Sequence, residues 1–312
     1  MSPSVYPLYG WKVASEVPLP AEPLPEGGVH PDVTIRWGAA APVPSDPPDG
    51  VLIARRTVDG RPQYTASRHD GGWTLRFHGA CDLAVGNDAT VADVFPDPAF
   101  SLAKVPVLLA GTGLAFLLAA RGRAVFHGAV VAVGGGGVAF IGPSGSGKST
   151  LAAICCAAGA TFVSDDLLVI DGDDPLMCAG GGGELRLRPG ATGAAELLSE
   201  SWSRHATADA RLAVSSGAPP AGRLPLVALI VPRLWRAPAP VVVDRLASSV
   251  VMRALLRCSR IEELRDPAMQ AAQFSAAASL GEAVPTYAAE VPWGPTFSAD
   301  VATELLALVL PS

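Results

Sequence analysis

The stretch FIGPSGSGKSTLAAICCAAGATFVSDDLLVI, residues 140–170, decides the fold that we expect for this chain. The end of an apolar strand leads into G-x-x-x-x-G-K-S at residues 142–149, and an alanine-rich helical segment follows. A glycine-rich loop in this context presents backbone N–H groups to phosphate oxygens, and the helix dipole favours anions. We therefore predict a nucleotide-binding phosphate loop. Its contact residues are expected to be Gly142, Pro143, Ser144, Gly145, Ser146, Gly147, Lys148, Ser149 and Thr150.

Two side chains of this loop carry specific expectations. Lys148 is expected to reach the terminal phosphates, and the Ser149 hydroxyl is expected to bind Mg²⁺. ATP and Mg²⁺ are therefore the expected cofactors.

Two adjacent carboxylates, Asp165 and Asp166, follow the helical segment and the short apolar run ATFV. Because the carboxyl ends of parallel strands face the nucleotide in α/β sheets, both side chains are expected beside the terminal phosphate. Neighbouring carboxylates in an apolar segment repel each other and lose solvation. One of their pKa values should be raised, or both should be held by Mg²⁺, Lys or His. Such a group suits a general base for an attacking hydroxyl, although an ordinary acidic turn is the alternative.

His127 lies in VFHGAVVAV, which we predict to form a hairpin with VAFIG across the glycines at 134–137. A hairpin closed symmetrically about these glycines would place Val133 opposite Val138 and His127 opposite Ser144. A lone histidine in an apolar strand is usually a core residue, but this register predicts a functional role.

Three charged residues alternate in ELRLRP: Glu184, Arg186 and Arg188. In an extended segment they would share one face. A glutamate there could complete a Mg²⁺ shell, and an arginine could stabilise charge on a transferring phosphoryl group. The alternative is an exposed edge strand with mixed charges.

The chain divides by composition. Residues 1–100 alternate Pro-rich segments with short extended runs, which predict a small β-rich domain with a recognition role; the runs lie at 33–37, 51–55, 63–66 and 73–78. Residues 101–312 alternate strands and helices around the loop, which indicates an α/β core. Helices are expected at 97–120, 149–158, 196–204, 250–264, 267–279 and 299–310. Residues 206–223 are expected to be a mobile loop.

Composition excludes some function classes. The residues are 49% hydrophobic and 17% charged, so a sizeable core is expected. A net charge of −6 argues against a general nucleic-acid partner. The N-terminal residues lack the basic start and apolar core of a secretory signal, and the apolar run at 105–120 is shorter than a membrane span requires. The 5 cysteines show no C-x-x-C spacing, so we expect reduced thiols and a cytoplasmic protein without a membrane partner.

The order of these motifs resembles that of the HPr kinase/phosphorylase superfamily. His127 with Gly128, GPSGSGKST, Asp165 with Asp166, and ELRLRPG occur in this order over about residues 100–310. The sequence is most similar to the HPr-kinase-related branch, whose members include kinases that phosphorylate a serine on ribosomally made peptides such as lasso-peptide precursors. The resemblance implies a PEP-carboxykinase-like phosphate-loop core.

The resemblance also implies roles for individual residues. Asp165 matches the general base that deprotonates the acceptor serine, and Asp166 matches the aspartate that pairs with the upstream histidine, here His127. Lys148 and Ser149 match the lysine and the hydroxyl residue of the family's loop.

The segment ELRLRP also matches the family pattern in part, and the chain departs from that pattern at two positions. Glu184 corresponds to the family's magnesium-binding glutamate, and Arg186 belongs to the same segment. Leu187 stands where the family has Gly, and Thr150 stands where true HPr kinases often have Glu. The kinase reaction is therefore implied, while the phosphorylase reaction and HPr itself as substrate are not.

Together these observations predict an ATP-dependent kinase that phosphorylates a serine of a peptide or small protein. Mg²⁺ would be held by Ser149 with Asp166 or Glu184, while Lys148 and Arg186 neutralise charge during transfer. A small-molecule kinase acting on a sugar or amino-acid hydroxyl, and a non-catalytic nucleotide-binding protein, are the alternatives. An ABC-type ATPase is disfavoured because no LSGGQ-like signature follows the loop. The oligomeric state stays open, a homo-oligomer included.

Overall fold

The computed structural model describes residues 3–25, 28, 30–172, 175–207, 210–217, 222–235, 239–294 and 297–310. Over these residues the fold is mixed α/β, with two eight-stranded sheets and a three-stranded sheet. The chain forms two compact units. The first comprises Met1–Val125 and Arg260–Gln273, and the second comprises Phe126–Ser259 and Phe274–Ser312.

The division into units differs from the expected boundary at residue 100. Within the first unit, Arg260 Nη1 donates to Thr112 Oγ1 at 3.1 Å. The Gln273 side chain accepts from the Val125 N–H at 3.0 Å and donates to the Val125 carbonyl at 3.2 Å. A segment far along the chain therefore returns to hold residues 101–125, and no local sequence signal marks such a return. The functional division into domains 1–100 and 101–312 stays a prediction.

The first unit is built on one sheet. Its strands are β1 Ser4–Leu8, β2 Trp11–Ser15, β3 Val33–Trp37, β4 Val51–Val58, β5 Arg61–His69, β6 Gly72–Phe77, β7 Cys81–Gly86 and β8 Val91–Pro96. They lie in the order β1-β2-β3-β8-β7-β6-β5-β4. β3 runs parallel to both of its neighbours, and the other pairs are antiparallel. The strands expected at 33–37, 51–55, 63–66 and 73–78 are confirmed within β3 to β6.

A helical segment follows the sheet. It begins with a 3₁₀ turn, Leu102–Lys104, and continues as α1 Val105–Leu108, a π-helical turn Leu109–Gly113 and α2 Leu114–Ala120. It starts later than expected because the Asp97 side chain accepts hydrogen bonds from the amides of Val43 and Ala99, which keeps the chain out of helix there. By length and composition Leu102–Ala120 could span a membrane, yet 61% of its most apolar window is buried inside the protein, as in a core helix.

The remaining strands begin with β9, whose first two residues belong to the first unit. They are β9 Ala124–Val133, β10 Gly136–Ile141, β11 Thr161–Ser164, β12 Leu167–Asp171, β13 Met177–Ala179, β14 Leu185–Leu187, β15 Ser203–Ala206, β16 Leu212–Ser215, β17 Arg223–Trp235, β18 Val242–Arg245 and β19 Thr286–Pro292. The large sheet has the order β10-β9-β12-β13-β17-β19-β18, with β11 paired to β9 and β10 also paired to β17. The small sheet has the order β14-β16-β15.

Strand direction brings several chain ends to one edge of the large sheet. β10 runs parallel to β17, and β17 runs parallel to β19. β9 is antiparallel to both β10 and β11. The carboxyl ends of β10, β11, β17 and β19 therefore lie at the same edge as the amino end of β9. This edge is where an open α/β sheet binds its ligands.

The helices that follow β10 are α3 Lys148–Ala157, α4 Gly193–Glu196, α5 Ser248–Arg257, α6 Pro267–Ala283 and α7 Ala299–Val309, and the boundary between the units falls within α6. Of these, α3 and α7 pack against strands of the large sheet. Phe140, Phe162 and Ile230 of the sheet pack with Leu151 and Ile154 of α3 in a fully buried core. Burial of such side chains contributes roughly 1.5–3 kcal/mol each. The core therefore fixes where the first turn of α3 lies.

Three helix and loop expectations need correction. The helices at 149–158, 267–279 and 299–310 are confirmed, but the helix expected at 196–204 is wrong, because α4 ends at Glu196 and β15 occupies 203–206. The helix expected at 250–264 ends at Arg257. The region 206–223 contains β16, while its residues 208–209 and 218–221 lie outside the described part of the chain.

The hairpin closes two residues earlier than expected. Gly134 has φ +57° and Gly135 has φ +82°, which are the two positive angles of a type I′ turn. Val133 therefore pairs with Gly136, not with Val138, and Gly128 pairs with Ile141. Continuing this register places His127 beside Gly142, the first loop residue, and not beside Ser144. The correction preserves the side of the strand that His127 occupies, because the shift is an even number of residues.

Gly135→Ala should lower the free energy of unfolding by roughly 1 kcal/mol, because an L-residue is strained at positive φ. An added Cβ would meet nothing within 4 Å, so backbone strain is the whole effect. Gly190→Ala is the matched control, since Gly190 is equally open but has no positive φ. Urea unfolding of both variants measures the difference. Equal stability of the two would contradict the I′ turn.

Candidate functional site

The loop between β10 and α3 adopts a conformation that depends on glycine. Gly142, Gly145 and Gly147 have φ of +154°, +87° and +88°. At Gly147 an added Cβ would also lie 3.0 Å from side-chain atoms of Leu234 and Trp293. Both conformation and space therefore require glycine at the residue that precedes α3. The loop leads from the end of β10 directly into the first turn of α3.

Lys148 lies inside this loop. Its ammonium group donates hydrogen bonds to the carbonyls of Gly142 at 2.9 Å and Pro143 at 2.8 Å. The residue is only 5% exposed. Burial lowers the pKa of Lys148, and the negative charge of Asp165 opposes that shift. A buried cation enclosed by loop carbonyls is placed to exchange those carbonyls for phosphate oxygens.

Asp165 connects the helix to the small sheet. Its Oδ1 accepts a hydrogen bond from Ser149 Oγ at 2.8 Å, and its Oδ2 accepts one from the Arg186 N–H at 3.0 Å. The residue is 8% exposed. Burial, followed by repulsion from Asp166, raises the pKa of Asp165 to about 6. The raised pKa expected for one of the two carboxylates therefore falls on Asp165, beside the loop hydroxyl.

Asp166 has different surroundings from its neighbour. Its φ is +72°, an angle uncommon for a residue with a side chain. The His127 ring contacts its main chain, with Nδ1 3.1 Å from the Asp166 carbonyl oxygen and 3.8 Å from its Oδ1. Arg186 Nη1 lies 3.8 Å from Asp166 Oδ2. His127, Asp166 and Arg186 thus form a group next to Asp165, but the Ser149 hydroxyl contacts Asp165 and not Asp166.

The three alternating charges have different partners. Glu184 Oε1 lies 3.4 Å from His205 Nε2, and Arg188 Nη2 donates to Ser144 Oγ at 2.8 Å. Arg188 thus contacts the phosphate loop itself, although the sequence analysis gave it no assigned site role. The period-two alternation was the signal that could have included it.

The predicted magnesium ligands are not gathered around one point. Ser149 bonds to Asp165, and Glu184 pairs with His205. Among the described residues, no group of three His, Cys, Asp or Glu side chains is placed to hold a metal ion. Which carboxylate would join Ser149 stays a prediction.

Cys258, which was expected only to be one of the reduced thiols, is a neighbour of the loop. Its carbonyl accepts a 2.6 Å hydrogen bond from the His127 N–H, which fixes the start of β9 at the site. Burial raises the pKa of the Cys258 thiol, while the Lys148 charge and the Gly142 N–H oppose this shift. Nothing in the local sequence signals this contact, because it joins residues far apart in the chain.

The residues present fit a nucleotide phosphate chain. The first four N–H groups of an α-helix have no partner within the helix, and α3 begins directly at the loop. The Ser146 hydroxyl is buried without a hydrogen-bond partner among the described residues. A cation, a hydroxyl and free helix amides therefore converge where an anion would bind. The adjacent Asp165 and Asp166 supply the oxygen ligands that Mg²⁺ prefers.

No protein-family profile matches the chain, and no curated protein matches it. Among solved structures, the HPr(Ser) kinase/phosphatase from Coxiella burnetii is similar, with 13% sequence identity and a TM-score of 0.30 over 59% of this chain and 88% of that chain. This is a weak structural resemblance, and no residue role is taken from it.

Asp165→Asn should stabilise the fold at alkaline pH. Because the folded state raises the pKa of this carboxyl from 3.8 to about 6, its folded form favours the proton. The contribution of Asp165 to stability is thus full below about pH 4 and is lost as the pH rises through about 6. At roughly 1.4 kcal/mol per pH unit, the loss reaches about 3 kcal/mol. Asparagine can keep the Arg186 N–H bond and donate to Ser149.

Urea unfolding at pH 5 and pH 8 measures this effect. The free energy of unfolding should be higher for the variant than for the wild type at pH 8, and this difference should be smaller at pH 5. Asp244→Asn is the same change at an exposed strand residue. It should leave the free energy of unfolding at each pH within about 0.5 kcal/mol of the wild type. A gain of equal size at both pH values would show that charge burial at Asp165 is not its cause.

Proposed function

We propose that this protein is an ATP-dependent kinase that transfers a γ-phosphoryl group to a serine hydroxyl of a peptide or small protein. One observation carries the proposal: the buried carboxyl of Asp165, with its raised pKa, is hydrogen-bonded to the hydroxyl of the phosphate loop's own Ser149. A base held next to the phosphates serves an acceptor hydroxyl. The motif order that resembles HPr kinases supports the same class and a PEP-carboxykinase-like core.

The phosphate loop would bind the nucleotide. The free amides at the start of α3 and the ammonium group of Lys148 would take phosphate oxygens. Mg²⁺, when bound, would neutralise charge between the phosphates, and Ser149 with Asp166 or Glu184 would hold it. Arg188, already on Ser144, would help to keep the loop closed.

The transfer step needs a base on one side of the phosphoryl group and cations around it. The acceptor oxygen forms a bond to the γ-phosphorus, and the bond from that phosphorus to the β–γ bridging oxygen breaks, which leaves ADP. The proton of the acceptor hydroxyl passes to the Asp165 carboxylate. With a pKa of about 6, Asp165 is ionised at neutral pH and still basic enough to accept that proton. Lys148 and Arg186 would stabilise the charge that develops.

The compartment and partners are part of the proposal. Cys81, Cys155, Cys156, Cys178 and Cys258 are all free thiols, which fits a reducing cytoplasm. The acceptor is proposed to be a peptide or small protein, without nucleic acid or membrane, and a homo-oligomer is compatible with it.

Asp165→Asn should retain ATP binding and lose phosphoryl transfer by roughly 10²–10⁴-fold, because the general base is removed. Transfer is measured from γ-labelled ATP and Mg²⁺ with a host-cell extract as acceptor, and the label is followed by size. Acid-stable label in the peptide or protein fraction, absent with the variant, is the expected result. Asp166→Asn is the matched control at the neighbouring carboxylate, and it should lower the rate of phosphoryl transfer less than Asp165→Asn does.

Other outcomes change the proposal in defined ways. Label in small metabolites would identify a small-molecule kinase instead. Release of free phosphate alone, unchanged in Asp165→Asn, would refute the role of this carboxyl. ATP binding with neither transfer nor release would indicate a non-catalytic nucleotide-binding protein.

The pH dependence of transfer follows from the same group. Wild-type transfer should fall as the pH is lowered through about 6, since Asp165 becomes protonated and can no longer accept the proton. This fall is measured from the rate at saturating ATP between pH 5 and 8. The residual rate of Asp165→Asn should not fall over this range. A fall that persists in the variant would belong to another group.

A further inference from the structure

The loop has a second neighbour that the transfer chemistry does not use. Trp293 follows β19, and its Cη2 lies 3.0 Å from where a Cβ of Gly147 would be. Leu234, near the end of β17, is equally close to the same point. An indole and a leucine side chain thus lie directly against the glycine that precedes Lys148.

These side chains are held by the sheet. Leu234 pairs with Val291 in the parallel register of β17 and β19. The Trp293 N–H then donates a 2.6 Å hydrogen bond to the Trp235 carbonyl, which extends the pairing past the end of β19. Phe297 packs edge-to-face on Trp293, with ring centroids 5.1 Å apart and an interplanar angle of 76°. Trp293 is only partly buried, so an aromatic surface remains accessible beside the loop.

The position of Trp293 relative to the carboxylates indicates which part of a bound nucleotide this surface would contact. Asp165 follows β11, which pairs with β9 on one side of β10, while β17 and β19 lie on the other side of β10. At about 4.8 Å between strands, β19 is roughly 10 Å from β10. The terminal phosphate is proposed to lie near Lys148 and Asp165. The nucleoside end of a triphosphate would then extend away from the carboxylates, toward Trp293.

We propose that Trp293, supported by Leu234 and Phe297, forms the stacking surface for the base of the bound nucleoside triphosphate. This assignment rests on the proposed function and adds the site that recognises the nucleoside. A base stacked on an aromatic ring gains affinity without hydrogen bonds to its edge. The surface would therefore make the site prefer a nucleotide to an inorganic polyphosphate. The loop alone would bind the two equally well.

Binding of ATP and of inorganic tripolyphosphate, each with Mg²⁺, tests the assignment by calorimetry on the full chain. The wild type should bind ATP more tightly than tripolyphosphate. Trp293→Ala should weaken ATP binding by about 5–100-fold and leave tripolyphosphate binding unchanged, because only the base loses its contact. Trp293→Phe should keep most of the ATP affinity. Trp235→Ala is the control, since Trp235 is 55% exposed and alternates to the opposite side of β17 from Leu234.

Tryptophan fluorescence tests the contact independently of whether Trp293→Ala folds. ATP should quench the wild-type protein and tripolyphosphate should not, and the ATP quench should be lost in Trp293→Phe and kept in Trp235→Phe. Equal affinity for both ligands, or loss of ATP affinity in Trp235→Ala alone, overturns the assignment. Selective ATP binding through Trp293 without phosphoryl transfer would refute the kinase and keep the base site. A wild type that binds neither ligand refutes both.

Discussion

The arrangement of the site depends on the two hydrogen bonds that Asp165 accepts. One comes from Ser149 in the first turn of α3, and the other comes from the backbone of Arg186 in β14. Since Asp165 directly follows β11, this single carboxyl joins the phosphate loop, the large sheet and the small sheet. A buried carboxylate is costly without such partners, and the two donors offset part of its desolvation. Burial therefore raises the pKa of Asp165, while the two hydrogen bonds that connect the parts of the site oppose that rise.

Much of the site could be predicted because it follows from strand direction. The loop motif fixes a strand before it and a helix after it, and ATFV fixes the next strand. Asp165 and Asp166 must then lie at the edge to which β10 also points, as they do. His127 was placed on the correct side of β9 despite a register error of two residues, because even shifts preserve the face.

What could not be predicted depends on contacts between distant segments or on a choice between close alternatives. The four glycines at 134–137 allow several turns, and only the φ angles select Gly134 and Gly135. Adjacent aspartates look alike in sequence, but the left-handed φ of Asp166 turns its side chain away from Ser149 toward Arg186. The return of residues 260–273 to the first unit, and the helix wrongly expected at 196–204, depend on tertiary packing that no local pattern encodes.

Leu187 has a structural role in β14. It is fully buried and pairs with Leu212. Leu185 is buried on the same side, so both leucines anchor one face of the strand to the core. The regular alternation then continues one step beyond Arg186, which brings Arg188 to Ser144 at the tip of the loop. A glycine would lack the anchoring side chain and loosen this step. The buried leucine therefore holds the segment so that Arg186 lies near Asp166 and Arg188 contacts the phosphate loop.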